Sequence, residues 1–304
     1  MALLSRRHFI SLAAGAGAAH ALPAPAPESA FSFVFLTDSH TQPELDAARG
    51  TSLALKRIRQ LRGIDFAIQG GDHVFDAAGV SRLRATQLFD LYTRTEQELG
   101  LQVRHTLGNH DVFGVYPTSG IGPADPGYGF QMFTERFGPT YYSFDHKGVH
   151  FVVLDSIGIT PTGWEPRIDQ AQLAWLTANL AALRPRTPIV VSVHVPLVTA
   201  IGSYTPVKGR FVIPEYTNGP QVVDLLTRYN TLAVLQGHTH INETVIWRGI
   251  PFHTSGAVSG NWWHGPRWGT PEGFTVCTIA GGKLTTRYEA SGFQSIAPET
   301  ASPV

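Results

Sequence analysis

Nine side chains able to bind metal stand in five short clusters: Asp38-Ser39-His40, Gly71-Asp72, Gly108-Asn109-His110-Asp111, His194, and Gly237-His238-Thr239-His240. Setting His110 and Asp111 aside, they offer two carboxylates, one amide and four imidazoles. Such a mixture of hard oxygen and imidazole nitrogen suits Fe, Mn, Zn or Ni better than Mg or Ca alone. Cys277 is the only cysteine, so neither a thiolate cluster nor an internal disulfide can form. The one-residue gap in Asp38-x-His40 and in His238-x-His240 lets both members of each pair reach one site from an extended end or a loop. Glycines at 71, 108 and 237 allow sharp turns and close backbone approach beside them. Taken singly, each fragment has an ordinary explanation as a turn, a cap or a core histidine. Their joint occurrence, each closing a strand-like run, points to one metal site.

The elements that must carry these residues alternate between short β-rich runs and amphipathic stretches. Phe31 to Leu36 reads as a buried strand, followed by a helix bearing Leu53, Leu55, Ile58 and Leu61. Phe66 to Ile68 and then Leu88, Leu91, Tyr92, Thr95 and Leu99 repeat the pattern, the second set falling on one helical face. Val103 to Leu107 supplies a third strand, and Tyr141 to Phe144 with Val149 to Leu154 a hairpin around Asp145-His146-Lys147-Gly148. Asp169 to Gln172 reads as a capping box opening a helix of Leu173, Leu176, Leu180 and Leu183. Ile189 to Val193 and Leu232 to Leu235 are two more strands, and Thr244 to Tyr288 contains β-type runs without a convincing helix. The pattern predicts an α/β protein with helix-covered parallel strands and an antiparallel section towards the C-terminus. The five polar clusters then lie at carboxyl ends of strands, where open α/β sheets bind ligands. Val112 to Tyr128, Ser156 to Ile168 and Pro196 to Pro220, rich in Gly, Pro and aromatic residues, are expected to be long functional loops.

With 304 residues, 43% of them hydrophobic and 15% charged, the chain can bury a substantial core, which argues against disorder. Its 23 basic and 23 acidic residues balance, so bulk charge gives no reason to expect a nucleic-acid polymer as partner. Residues 1–27 are set apart. Arg6-Arg7 precede the short apolar stretch Phe9 to Ala19, and a Pro-Ala alternation follows at Pro23 to Pro27. This resembles a twin-arginine export signal, with cleavage expected near Ala19-His20-Ala21. Residues 28–304 then form one catalytic domain, exported to the periplasm or outside the cell and without a membrane span after processing.

The order D-x-H, G-D, G-N-H-D, a lone H and G-H-x-H, running from Asp38 to His240, resembles the signature of the calcineurin-like metallophosphoesterase superfamily. That resemblance implies a four-layered αββα sandwich and a two-metal site. By motif position, Asp38, His40, Asp72 and His240 would hold one ion and Asp72, Asn109, His194 and His238 the other, with Asp72 bridging. The resemblance also implies a divalent or mixed-valence pair drawn from Fe, Mn or Zn. Purple acid phosphatases differ in placing Tyr three residues after the bridging Asp, where this chain has Phe75, and in lacking the histidine equivalent to His40. The chain looks more like the cyclic nucleotide and glycerophosphodiester phosphodiesterase branch, although the His-His-Pro-Pro string common there reads His194-Val195-Pro196-Leu197.

The expected reaction is hydrolysis of a small phosphoester, most readily a phosphodiester, by a water activated between the two ions. Two divalent ions, two carboxylates and a hydroxide leave a formal charge of about +1 to meet an anionic phosphate. His110, oriented by Asp111, is the expected group to protonate or bind the leaving oxygen. A phosphomonoesterase or nucleotidase is the alternative on the same site, and a silent metal-binding protein a more distant one. His73 and His264 are weaker candidates for lining the site. Trp262-Trp263-His264 could return over it, although packing is the favoured role for the tryptophans. His105, His146, His150 and His253 read as structural or exposed. Oligomeric state is left open.

Overall fold

The computed structural model describes residues 29–204 and 218–299. In chain order the elements begin β1 (Phe31–Leu36), α1 (Ala47–Arg59), β2 (Ile64–Gln69), α2 (Arg82–Glu96) and β3 (Val103–His105). Next come α3 (Gln131–Phe137), β4 (Tyr142–His146), β5 (Val149–Leu154), β6 (Ile157–Thr160), β7 (Gly163–Pro166) and α4 (Gln170–Ala181). The chain continues through β8 (Pro188–Val193), the single turn α5 (Ile201–Tyr204), α6 (Gly219–Leu226) and β9 (Asn230–Gln236). It closes with β10 (Glu243–Trp247), β11 (Ile250–Thr254), β12 (Gly273–Ala280) and β13 (Lys283–Ala290). One sheet runs β13-β12-β1-β2-β3, the other β10-β11-β9-β8-β5-β4.

Side-chain alternation along the strands explains the layering. In β1, Phe31, Phe33 and Phe35 face the second sheet and join Phe151, Val190 and Leu235, whereas Val34 and Leu36 face Leu55 and Ile58 of α1. In the second sheet, Val152 and Leu154 of β5 with Val191 and Val193 of β8 face away from the first, against Leu176 and Leu180 of α4 and Val222 and Leu226 of α6. The resulting order is helix, sheet, sheet, helix, which is the αββα sandwich. The pairings β1–β2, β2–β3, β5–β8 and β8–β9 are parallel, so the carboxyl ends of these strands fall together within each sheet.

Several local expectations need correction. Ser156 to Ile168 is not a plain loop, because β6 and β7 pair antiparallel within it, Ile157 opposite Pro166 and Ile159 opposite Trp164. Gly158, Pro161, Gly163 and Pro166 gave the segment its loop-like composition, but Gly158 pairs inside β6 opposite Glu165 and the other three occupy the turn and the ends of β7. Asp169 caps α4 by accepting from Gln172 N at 2.7 Å, yet the reciprocal half of the box is absent. The Gln172 amide instead bonds the backbone of Asp155, accepting from its N–H and donating to its carbonyl, each at 2.9 Å. Helix α4 ends at Ala181, short of Leu183, and β3 ends at His105, short of Leu107. The hairpin between β4 and β5 turns on Lys147-Gly148 alone, both with positive φ, the requirement of a tight two-residue hairpin turn. The export-signal residues 1–27 and most of Pro196 to Pro220 lie outside the described residues.

Candidate metal centre

The turns that leave the strands set the geometry of the site. Asp38, His40, Asp72, His238 and His240 all have left-handed backbones, with φ of 54°, 40°, 54°, 70° and 62°. For residues other than glycine that conformation costs about 1–2 kcal/mol each. Concentrated at one place, it marks a site whose geometry the surrounding fold enforces. The turns after β1 and β2 are locked together, Asp38 N donating to Gly71 O at 2.9 Å and His40 N to Asp72 O at 3.1 Å. The turn after β9 is tied to the turn after β1 through His238 N, which donates to Asp38 Oδ2 at 2.9 Å. Gly108 is required where the turn after β3 crosses Asp72, since a Cβ there would lie 2.1 Å from Asp72 N.

All seven metal-type residues read from the sequence come together. His40 Nε2 lies 3.1 Å from His240 Nε2 and 3.6 Å from Asp72 Oδ2, and His240 Nε2 lies 3.3 Å from Asp38 Oδ1. His194 Nε2 lies 3.1 Å from Asp72 Oδ2 and 3.2 Å from Asn109 Oδ1. His238 joins Asp72 and His194 as a group compact enough to hold one ion, and Asp38, His40 and His240 form another. Asp72 Oδ1 is taken by His110 N at 2.8 Å, which leaves Oδ2 facing both groups.

Hydrogen bonds fix which ring nitrogen is free. His194 Nδ1 lies 2.8 Å from Gly70 O and His240 Nδ1 lies 2.5 Å from Gly260 O. A carbonyl only accepts, so each Nδ1 carries the proton and each neutral Nε2 presents a lone pair. Both lone pairs then point at carboxylate oxygens in a buried site, an arrangement stable only with positive charge between them. The acid–base shifts agree. Burial opposes ionisation of Asp38 and Asp72, yet the surrounding histidines, His240 first for Asp38 and His194 first for Asp72, hold both well below the usual carboxylate range. Burial likewise opposes charge on His194, but Asp72 outweighs it and lifts the imidazole to about 9. His238 is pushed down to about 3, by burial and then by His194. Without a cation the carboxylates therefore draw a proton onto His194 Nε2, the position whose lone pair an ion would take in its place, and the donor set fits a pair of metal ions.

His110 closes the exposed side. Its ring meets that of His40 edge-on with centroids 4.7 Å apart, and its side chain is about 29% exposed. Asp111 does not orient it, contrary to the sequence expectation. The Asp111 carboxylate accepts from His73 Nδ1 at 2.8 Å, His73 N at 2.8 Å and Gly108 N at 3.0 Å, and it is fully buried. Asn109 to Asp111 form one turn of 3-10 helix, in which successive side chains diverge by about 120°. The carboxylate nearest His110 Nδ1 is instead Asp76, at 4.0 Å. His73, once a candidate for lining the site, is buried against Phe137 and bonded to Asp111 and His105.

A sequence model described as calcineurin-like phosphoesterase matches residues 31–242, more than two thirds of the chain. The chain belongs to the calcineurin-like phosphoesterase family. Serine/threonine-protein phosphatase CPPED1 of Mus musculus is 28% identical over 186 residues, 60% of this chain and 53% of that protein. A protein named probable cyclic nucleotide phosphodiesterase from Rhodococcus erythropolis is 26% identical over 154 residues, 51% of this chain and 45% of that protein. The chain therefore spans about half the length of these curated relatives. A crystal structure of a dimetal phosphatase from Danio rerio shares the fold, with a TM-score of 0.60 at 15% identity over 86% of this chain and 96% of that one. Calcineurin-like phosphoesterases normally carry a dinuclear metal site, and the ligand groups here, which include a third joining His110 to His40 and Asp72, are candidates for it.

In this calcineurin-like phosphoesterase the sequence reading overlooked an aromatic border. Trp164 of β7 stands edge-on to His238 with centroids 5.7 Å apart, and its indole N–H donates to Tyr116 Oη at 2.9 Å. Their presence in two segments rich in aromatic residues was the available signal. Trp262 lies 4.4 Å from the His240 ring and 5.9 Å from that of His40, so the Trp262-Trp263 segment does return over the centre. Trp263 is core: fully buried, it packs with α1 and donates from Nε1 to His40 O at 3.0 Å. His264 turns away to Ala297 O, at 2.8 Å. His146 and His150 pair with Asp65 and Asp145, each at 2.7 Å, while His105 bonds His73 and His253 bonds Thr244.

Proposed function

We propose that the protein is an exported, dinuclear metal-dependent phosphoesterase whose preferred substrates are phosphodiesters. The observation that carries the metal reading is the pair of lone pairs, on His194 and His240, turned towards Asp72 and Asp38. Asp38, His40, Asp72 and His240 would hold one ion, and Asp72, Asn109, His194 and His238 the other. Asp72 Oδ2, its partner oxygen already engaged by His110 N, is suited to bridge. Bound there, Fe, Mn or Zn ions would supply Lewis acidity and a water acidic enough to act as nucleophile at neutral pH. His110, beside the centre and open to solvent, is placed to hold or protonate the leaving oxygen. Asp111 supports that residue only through the loop it braces.

Formal charge favours a diester. Two divalent ions against two carboxylates and a hydroxide leave about +1, a match for the single charge of a phosphodiester. Phosphomonoesters are the second reading, supported by the phosphatase among the relatives. The deciding experiment compares initial rates of the Mn-reconstituted protein on a nitrophenyl phosphodiester and its monoester, with a chelator-stripped control. Faster diester cleavage supports the reading, faster monoester cleavage replaces it, and a rate unaffected by the chelator overturns the metal site.

Export rests on Arg6-Arg7 and the apolar stretch after them, with residues 28–304 as the catalytic domain. Among the described residues no helix is long and apolar enough to cross a membrane. Replacing both arginines by lysine should leave the protein in the cytoplasmic fraction of a host with a working twin-arginine pathway; unchanged export would reject the signal.

A further inference from the structure

The open side of the metal centre is bordered by a continuous chain of contacts between its two partly exposed histidines. It starts at His238, against which Trp164 packs edge-on at 5.7 Å. Trp164 Nε1 donates to Tyr116 Oη at 2.9 Å. The Tyr116 ring lies against the backbone of Gly163 and Gly79, where added Cβ atoms would meet it at 2.8 Å and 3.5 Å. Gly79 N donates to the Asp76 carboxylate at 3.3 Å, and Asp76 reaches within 4.0 Å of His110 Nδ1. Tyr116 is thus the middle link in a run of contacts from His238 to His110. The two segments that meet at it, around residues 112–128 and 156–168, are ones whose aromatic content suggested a functional role.

The hydrogen-bond roles at Tyr116 are fixed by chemistry. An indole N–H can only donate, so Tyr116 Oη accepts this bond and its own O–H remains available to donate. Among the described residues that proton meets no protein acceptor. Burial first, and then the Asp76 and Asp72 carboxylates, raise the phenol above its ordinary value, so it remains a neutral donor. A phosphoester has oxygens that lack donors on the side facing away from the metals. A neutral donor satisfies one without adding charge to a centre of about +1.

Resting on the phosphoesterase reading above, we infer that Tyr116 contacts substrate. Its hydroxyl, held in place by Trp164, donates a hydrogen bond to an oxygen of the bound phosphoester. Trp164 is its positioning residue.

The test uses the Mn-loaded protein and the variants Tyr116→Phe, Trp164→Phe and the double variant. Tyr116→Phe should lower kcat/KM on the nitrophenyl phosphoester about 10- to 100-fold, the range expected for a lost hydrogen bond to a charged group. It should weaken inhibition by inorganic phosphate by a similar factor and leave metal content and Tm unchanged. Trp164→Phe keeps a ring beside His238 but removes the N–H, and should cost a few-fold by itself. The double variant should be no worse than Tyr116→Phe, because the Trp164 bond acts only through that hydroxyl. Equal kcat/KM and equal phosphate affinity in wild type and Tyr116→Phe would overturn the inference, as would fully multiplicative losses for its Trp164 half. Calorimetric titration of phosphate into the Mn-loaded proteins reads the Tyr116 contact even if no phosphoester is hydrolysed, so failure of the functional reading is distinguishable.

Discussion

His194 Nε2 faces Asp72 Oδ2 at 3.1 Å while the opposite ring nitrogen donates to Gly70 O at 2.8 Å, so Nε2 is the nitrogen left to offer a neutral-ring lone pair to an ion beside that carboxylate. The backbone of the turn after β2 thus dictates the tautomer needed to ligate a metal, and the same turn carries the carboxylate that shares it. Asp72→Asn should remove this arrangement at its centre, halving the anionic charge contributed by Asp38 and Asp72. We expect loss of at least one ion and a fall in metal-dependent kcat/KM of more than about 100-fold, a lower bound taken from second-shell effects. Metal analysis alongside steady-state rates checks it, and undiminished metal-dependent hydrolysis would refute the ligand assignment.

His110→Ala separates chemistry from scaffolding. The His110 backbone N–H, which holds Asp72 Oδ1 at 2.8 Å, survives the substitution, so the metal cage should persist. Turnover should fall about 10²- to 10⁴-fold, the usual range for loss of a general acid. Metal content measured on the same preparation should stay near that of wild type; if metal and turnover are lost together, His110 is structural.

The strand ends were legible because polar residues interrupt β-type runs: Phe33 to Leu36 stops at Asp38, and Ala233 to Leu235 at Gly237-His238. The continuous apolar run of β1 marked it as a buried strand, and both of its faces are core. What failed was inference from adjacency. Asp111 follows His110 directly, yet the 3-10 turn sends its carboxylate to His73, a relationship set by dihedral angles and not by neighbouring positions. Trp164 and Tyr116 lie 48 residues apart, and their meeting depends on a hairpin whose glycines and prolines masked its short strands. The half-formed box at Asp169 failed for a related reason, because Gln172 found buried backbone partners at Asp155 worth more than an exposed cap.

Gly237→Ala tests how closely the two sheets meet. A Cβ at this position would lie 2.2 Å from Thr37 Oγ1 and 2.7 Å from Asp38 Oδ2. Because Thr37 Oγ1 itself donates to Asp38 Oδ2 at 2.7 Å, the added methyl must displace the carboxylate or part the strand ends. Destabilisation of about 1–3 kcal/mol is expected from overpacking. Denaturant unfolding should reveal it, and weaker binding of the ion assigned to Asp38 should accompany it. Wild-type stability with wild-type metal content would show that the turns have slack.

Asp155 gives a pH-dependent test away from the metal ligands. Its carboxyl is buried beside Asp169 and Arg167, and although it accepts from Ile157 N at 2.8 Å, burial drives it up to about 7. The folded protein therefore keeps this proton where the unfolded chain, with a carboxyl near 4, has released it. Folding stability should decline as pH rises from about 4 to about 7, by as much as about 4 kcal/mol from this group if the full shift is expressed. Asp155→Asn keeps an oxygen for Ile157 N and removes the charge. The variant should match wild type near pH 4 and exceed it in Tm at pH 8, where the wild-type carboxyl is forced to ionise in a buried position. Equal pH dependence of stability in the two proteins would show that Asp155 ionises freely in the fold.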